Sequence, residues 1–227
     1  YGDSLAWEAR HSFNDSFADQ PHIQVYDRTF GGTAICDWLD QMATDAASLA
    51  PGIVVIEFSG NSFTPCMKDA NGDALTAEQI DERYAVDAAS AIAIFAPIDT
   101  QVVFAGAPVT RPDTASGIGR LNSLYSQLAD DHDGVWYTDA GRSVLADDSY
   151  TITLPCLSSE PCEGGYTSDG LLVNVVRNPD GIHFCPVNGD AVYGVTDDCP
   201  EWSSGAYRYG RALAQPVLDA LAVSTFG

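Results

Sequence analysis

Apolar positions along the chain fall into two alternating kinds of run. Ile23–Thr29 (IQVYDRT), Gly52–Gly60 (GIVVIEFSG), Thr100–Pro108 (TQVVFAGAP) and Val135–Gly141 (VWYTDAG) are short, rich in Val, Ile, Phe and Tyr, and read as strands. The second and third are almost continuously apolar, as parallel strands covered on both faces are. Leu5–Phe13 and segments at about 34–49, 78–96, 113–131 and 204–222 read as helices, with Pro51-Gly52 and Pro97 marking helix ends. Alternation of this kind predicts an α/β sandwich around a parallel sheet, built as a single domain over residues 1–227. Ligands in such folds bind beyond the carboxyl ends of the strands, which here are Thr29–Gly32, Ser59–Thr64 and Gly106–Thr110.

The pattern changes at about 142–202. Gly, Pro, Ser and Asp dominate there, apolar runs are short (Gly170–Val176, GLLVNVV), and four of the six cysteines fall inside it. It reads as a long excursion stapled by disulfides before the last helix. None of the cysteines forms C-x-x-C and no His stands at zinc-ligand spacing, so disulfides in an oxidising compartment explain them better than a metal. Proximity favours Cys156–Cys162 and Cys185–Cys199, leaving Cys36–Cys66.

Charge narrows the partners. The chain carries 32 acidic and 10 basic residues, a net charge of −22, and Lys68 is its only lysine. A field of that sign repels phosphate backbones and anionic membranes, so a nucleic-acid partner is not expected. No apolar run approaches the roughly 20 residues that span a bilayer. No basic-then-apolar leader opens the chain, so a leader, membrane tether or membrane domain would have to precede Tyr1.

Three segments carry residues suited to chemistry. Gly2-Asp3-Ser4-Leu5 puts a serine at the start of a helix, where it can cap the helix or, if a base removes its proton, act as a nucleophile beside exposed N–H groups. Pro179-Asp180-Gly181-Ile182-His183 puts an acid three residues from a histidine on a turn, so the carboxylate can fix the tautomer of a general base. At the strand ends, Gly32 in Phe30-Gly31-Gly32-Thr33 and Asn61 in Ser59-Gly60-Asn61-Ser62 can supply a backbone N–H and a side-chain amide to an oxyanion, although both are also ordinary turn residues. Other features are weaker. Arg111 can face the cleft and hold an anionic acyl group or make a surface ion pair. Trp7, Trp38, Trp136 and Trp202 can line a sugar surface or pack the core. Lys68–Asp73 resembles a calcium loop only loosely, with its glycine misplaced for an EF-hand.

Together, Gly2-Asp3-Ser4-Leu5, Gly32, Asn61 and Asp180-Gly-Ile-His183 resemble the four blocks of the SGNH (GDSL) hydrolase family, in order and across nearly the whole chain. The resemblance implies a flavodoxin-like three-layer α/β/α fold. It further implies Ser4 as nucleophile, His183 as base, Asp180 as its orienter, and an oxyanion hole of Ser4 N–H, Gly32 N–H and Asn61, with no metal or organic cofactor. Two departures stand out: Ser62 replaces the family's usual aspartate, and only Tyr1 remains of the central strand that leads into the nucleophile, which would expose two strand edges. The function implied is a serine esterase or deacylase acting on short, acetyl-like acyl esters of carbohydrate or cell-envelope substrates. The same triad would serve an O-acyltransferase, and the same scaffold a non-catalytic carbohydrate-binding domain. A monomeric, secreted or extracytoplasmic protein, free or membrane-anchored, is expected.

Overall fold

The computed structural model describes residues 1–111, 117–162, 164–185 and 202–224. Three parallel strands, β1 (Ile53–Glu57), β2 (Gln101–Ala105) and β3 (Val135–Thr138), lie in that spatial order. Val54 stands opposite Val102, and Phe104 opposite Tyr137. Helices α1 (Ser4–Asp15) and α5 (Ser204–Ser224) cover one face; α2 (Leu39–Leu49), α3 (Ala77–Phe95) and α4 (Ile118–Asp131) cover the other. This is the expected three-layer α/β/α sandwich.

Side chains alternate across β1 and β2, so each face has its own core. Ile56, Phe58 and Phe104 pack with Met42, Tyr84, Phe95 and Tyr125, and the Phe104 and Tyr125 rings stack at 4.9 Å. On the opposite face Leu5, Ala9, Ala105, Tyr209 and Leu213 form a second cluster. Burying each of the large side chains contributes roughly 1.5–3 kcal/mol. The second cluster matters for the site because it fixes α1 on the sheet.

Helix boundaries follow local chemistry. Thr76 and Gln79 form a reciprocal capping box at the start of α3, and Pro97 follows its end. The helix expected at about 34–49 is broken: Ile35–Asp37 is a 3-10 turn and α2 begins at Leu39. Asp37 accepts the Ala34 N–H at 2.8 Å and Cys36 is joined to Cys66, which together hold this turn apart from the helix. The helix expected at about 113–131 begins at Ile118, and residues 112–116 lie outside those described.

The strand expected at Ile23–Thr29 does not form. Among the described residues its one ladder contact is a bridge at Thr29 to Gly2, which also bridges Glu57 of β1. Tyr1–Asp3 thus runs between the two as a very short central strand: Gly2 N–H donates to Arg28 O and Phe30 N–H to Gly2 O, while Asp3 N–H donates to Glu57 O. A strand needs a neighbour along its length, and residues 23–28 have one only at their end. Beside them lies an open groove of about 470 Å³, lined by Val25, Ile53, Val54, Val217 and Leu221 among others.

The excursion is folded. β4 (Leu145–Ala146) pairs with β5 (Ser149–Tyr150), and β6 (Thr153–Pro155) with β7 (Val173–Val175), both antiparallel. It docks on α5 through Arg208, which donates to Pro155 O at 2.6 Å and pairs with the Glu160 carboxylate. The expected disulfides Cys36–Cys66 and Cys156–Cys162 both form; the third pairing ends at Cys199, outside the described residues. Among the described residues no helix is long and apolar enough to cross a membrane.

Candidate active site

The cap of α1 is Asp3, not Ser4. Asp3 is extended (φ −93°, ψ −153°) and its Oδ1 accepts the Leu5 N–H at 3.0 Å. That leaves Ser4 as the first helical residue, with a hydroxyl not spent on capping. Gly2 permits the tight entry, since a Cβ there would lie 2.3 Å from the Ala6 Cβ and 2.9 Å from Glu57 O.

Ser4 Oγ stands 2.8 Å from His183 Nε2, and His183 Nδ1 stands 2.7 Å from Asp180 Oδ2. The other Asp180 oxygen accepts the Ile182 and His183 N–H groups at 2.8 and 3.0 Å. An ionised carboxylate can only accept, so Nδ1 carries the proton and Nε2 faces the serine hydroxyl as acceptor. Burial opposes a charged imidazole, but Asp180, Glu8 and Asp3 outweigh it and hold the His183 pKa above its ordinary 6.5.

The backbone around His183 is pinned from several elements. Gly181 has φ +78° and its N–H donates to Asn178 O at 2.9 Å, closing the turn that sets Asp180 beside His183. Asn178 N–H donates to His183 O at 2.7 Å and its side chain to Cys185 O at 2.6 Å. Arg177, fully buried under the Phe184 ring, donates to Ile182 O at 2.7 Å, and burial lowers its pKa to about 10. Arg111 donates to Asp180 O at 2.5 Å and covers Gly181, so its guanidinium is engaged with the Asp180–Gly181 backbone. Glu8, one turn beyond Ser4, accepts the Phe184 and Cys185 N–H groups.

A second network meets at Asp3. Its Oδ2 accepts the Ser59 N–H (2.7 Å), the Ser59 hydroxyl (2.6 Å) and the Asn61 amide (2.9 Å). Asn61 also donates to Thr33 O at 3.3 Å, which joins both strand-end loops to the start of α1. Gly32 takes a left-handed conformation (φ +78°), while its neighbour Gly31 approaches the nucleophile: a Cβ on Gly31 would lie 3.7 Å from the Ser4 Cβ. Beneath lies Glu57, which accepts the Ala6 N–H and the Tyr209 hydroxyl. Burial first, and Asp3 second, drive the Glu57 carboxyl well above the ordinary range, and burial raises Asp3 as well.

Sequence reading singled out Ser4, Asp180, His183, Gly32 and Asn61, and the structure gathers the four segments that carry them at one end of the sheet. It did not find Glu8, Arg177, Glu57 or Gly31. Glu8 left one signal: it is an acid on the apolar face of α1, between Leu5 and Ala9. The loop at Asp69 is a turn in which one carboxylate oxygen accepts the Asn71 and Asp73 N–H groups. The tryptophans are dispersed: Trp7 lies under Arg10, Trp38 packs beside the core, and Trp136 and Trp202 are exposed. Among the described residues the one cluster of metal-type donors is Cys36, Asp37 and Cys66, whose two sulfurs are joined in a disulfide and so are not thiolate ligands.

Comparison with known proteins agrees with this fold. A family model described as "Protein of unknown function (DUF459)" matches residues 1–193. No curated protein matches the chain. Among solved structures, a protein of Bacteroides fragilis assigned as an acylhydrolase is 15% identical, covers 97% of this chain and 85% of its own, and superposes with a TM-score of 0.55. A GDSL-like lipase of Bacteroides thetaiotaomicron is 13% identical, with 97% and 86% covered and a TM-score of 0.51. A mutant acetyl esterase holding an acetate ion is 13% identical, with 98% and 96% covered and a TM-score of 0.52.

Proposed function

The chain belongs to the DUF459 family and has the SGNH (GDSL) hydrolase fold, and on that premise we propose that it is a serine esterase that removes short, acetyl-like acyl groups from carbohydrate or cell-envelope substrates outside the cytoplasm. The observation that carries this reading is the unbroken chain of hydrogen bonds from Asp180 through His183 to Ser4, with distances of 2.7 and 2.8 Å. The two disulfides among the described residues favour an oxidising compartment.

In the proposed reaction His183 Nε2 takes the Ser4 proton as Oγ attacks the ester carbonyl. The oxyanion draws on the Ser4 N–H at the helix N-terminus, the Gly32 N–H and the Asn61 amide. Asn61 would exchange a ground-state bond to Thr33 O for this role while Asp3 keeps its amide oriented. The alcohol leaves with the proton from His183, and water, activated by the same base, releases the acid and restores Ser4. A sugar hydroxyl in place of that water would make the product a transferred acyl ester. Phe30 and Phe63, 52% and 77% exposed on the two loops beside Ser4, offer apolar faces for a sugar ring or acyl chain.

A serine-directed fluorophosphonate probe and p-nitrophenyl acetate test the reading. Labelling of Ser4 and acetate release, both abolished in Ser4→Ala, are expected. A folded protein that neither labels nor hydrolyses overturns it. Acyl transfer to an added oligosaccharide in preference to water would move the assignment to a transferase.

A further inference from the structure

Glu8 occupies a position that packing alone would give to an apolar residue. It lies on the face of α1 that carries Leu5 and Ala9, and it is 9% exposed. An ionised carboxylate in such a place costs several kcal/mol unless its oxygens are satisfied. One of them is held by a single segment: Oε2 accepts the N–H of Phe184 at 2.7 Å and that of Cys185 at 3.3 Å, the two residues that follow His183. Residues four apart on a helix lie on the same side. Helix α1 therefore presents Ser4 to the imidazole and, one turn on, a carboxylate to the backbone behind that imidazole.

We infer that Glu8 is a positioning residue of the esterase site, holding the His183 segment at a fixed distance from Ser4 with its carboxylate on the backbone that follows the imidazole. This rests on the proposed roles of Ser4 and His183. The bond to Asp180 sets the ring's tautomer but not the distance between two elements 179 residues apart in sequence. Glu8 is placed to set that distance, because it rides on the same helix as the nucleophile. The charged and titratable groups facing it are His183, Asp180 and Arg177 from the loop, with Asp3 acting on His183 from the start of α1 and Tyr209 on Arg177 from α5. Burial raises the Glu8 carboxyl to about 7, against the pull of His183 and the two N–H groups, so its charge changes in the range where the base works.

Two substitutions separate the charge of that carboxylate from its hydrogen bonds. Glu8→Gln keeps an oxygen that can accept from Phe184 and Cys185 and removes the charge. Glu8→Leu keeps the volume and removes both. The imidazole of His183 is titrated by NMR in the wild type and each folded variant, and esterase kinetics are recorded over the same pH range. Glu8→Gln is expected to lower the His183 pKa by roughly half a pH unit and to move the acid limb of kcat/KM with it. Glu8→Leu is expected to lower kcat by about 10²-fold, since a displacement of about 1 Å between reacting groups has that effect, with KM changed less than about threefold. An unshifted His183 titration in Glu8→Gln, or full kcat in Glu8→Leu, overturns the inference. The NMR readout needs no turnover, so absence of esterase activity in the wild type would remove the proposed function without being mistaken for a failure of Glu8.

Discussion

Asp3 Oδ2 accepts the side-chain amide of Asn61 at 2.9 Å, and through that bond the residue that caps the nucleophile's helix also orients the loop after β1. The same carboxylate holds Ser59 twice and the Leu5 N–H once. Local helix capping, the turn at Ser59–Asn61 and the setting of a proposed oxyanion donor therefore depend on one buried side chain. Replacing it by the isosteric amide keeps the shape but turns one end of the group into a donor facing donors. Asp3→Asn should cost about 1–3 kcal/mol, the penalty for buried donors left without an acceptor. It should also lower kcat more than it raises KM, because Asn61 is freed to turn. Urea denaturation and steady-state kinetics of this variant beside Asn61→Ala check both parts; unchanged stability would separate Asp3 from the network.

Asp180→Asn tests the tautomer directly. An amide NH₂ toward Nδ1 leaves that nitrogen as acceptor, so Nε2 carries the proton and faces Ser4 as a donor. In serine hydrolases built on this constellation such a change costs about 10⁴ in kcat, and a loss of that order is expected here with little change in fold. In the wild type the base must be neutral, so kcat/KM should rise with pH through a limb above 6.5, the direction in which Asp180, Glu8 and Asp3 move His183. A limb at or below 6.5 would contradict that electrostatic account.

Glu8 also makes a prediction about stability that is independent of turnover. Its pKa rises from 4.5 unfolded to about 7 folded, because burial disfavours the charged form. Between those values the folded chain binds the proton that the unfolded chain has released. The stabilisation is thus fully present below about pH 4.5 and is lost as pH rises through about 7. The difference between the two values corresponds to on the order of 3 kcal/mol. Glu8→Gln has no proton to lose, so its Tm should fall less than that of the wild type between pH 5 and 8. Parallel curves for the two proteins would refute the titration of Glu8 in this range.

How much of this was legible in the sequence depends on how local each cause is. The end of α3 was legible because Pro97 follows it, and its start, expected near 78, is fixed in the structure by Thr76 and Gln79 capping each other three residues apart. The meeting of Asp180 with His183 was legible for the same reason, a turn three residues long. Residues 23–28 misled because their Val, Ile and Tyr content is that of a strand, whereas a strand exists only where a neighbour supplies its hydrogen bonds. Ser4 and Asp3 divided the two roles that one serine had been given, capping and chemistry. Arg111 and Arg177 were opaque because each binds carbonyls that no spacing rule connects: Arg111 lies 69 residues from Asp180, and Arg177 reaches Val109, 68 residues away.

Two disulfides among the described residues, Cys36–Cys66 and Cys156–Cys162, should differ in what they do. Cys36–Cys66 joins residues 30 apart and ties the segment after Gly31-Gly32 to the one after Asn61, the two loops beside Ser4. Cys156–Cys162 joins residues 6 apart at the edge of the excursion. Closing the longer loop removes more entropy from the unfolded chain: about 3.6 kcal/mol against about 2.2 by loop-length scaling. Paired Cys→Ser replacement at 36 and 66 should therefore destabilise the protein more. It should also lower kcat well below the Tm of the variant, since Gly31, Gly32 and Asn61 lose their common brace. Replacement at 156 and 162 should lower Tm with kcat nearly unchanged. Thermal melts and acetate-release kinetics on both double variants decide it, and equal kcat in the two would show that the brace beside Ser4 has no part in catalysis.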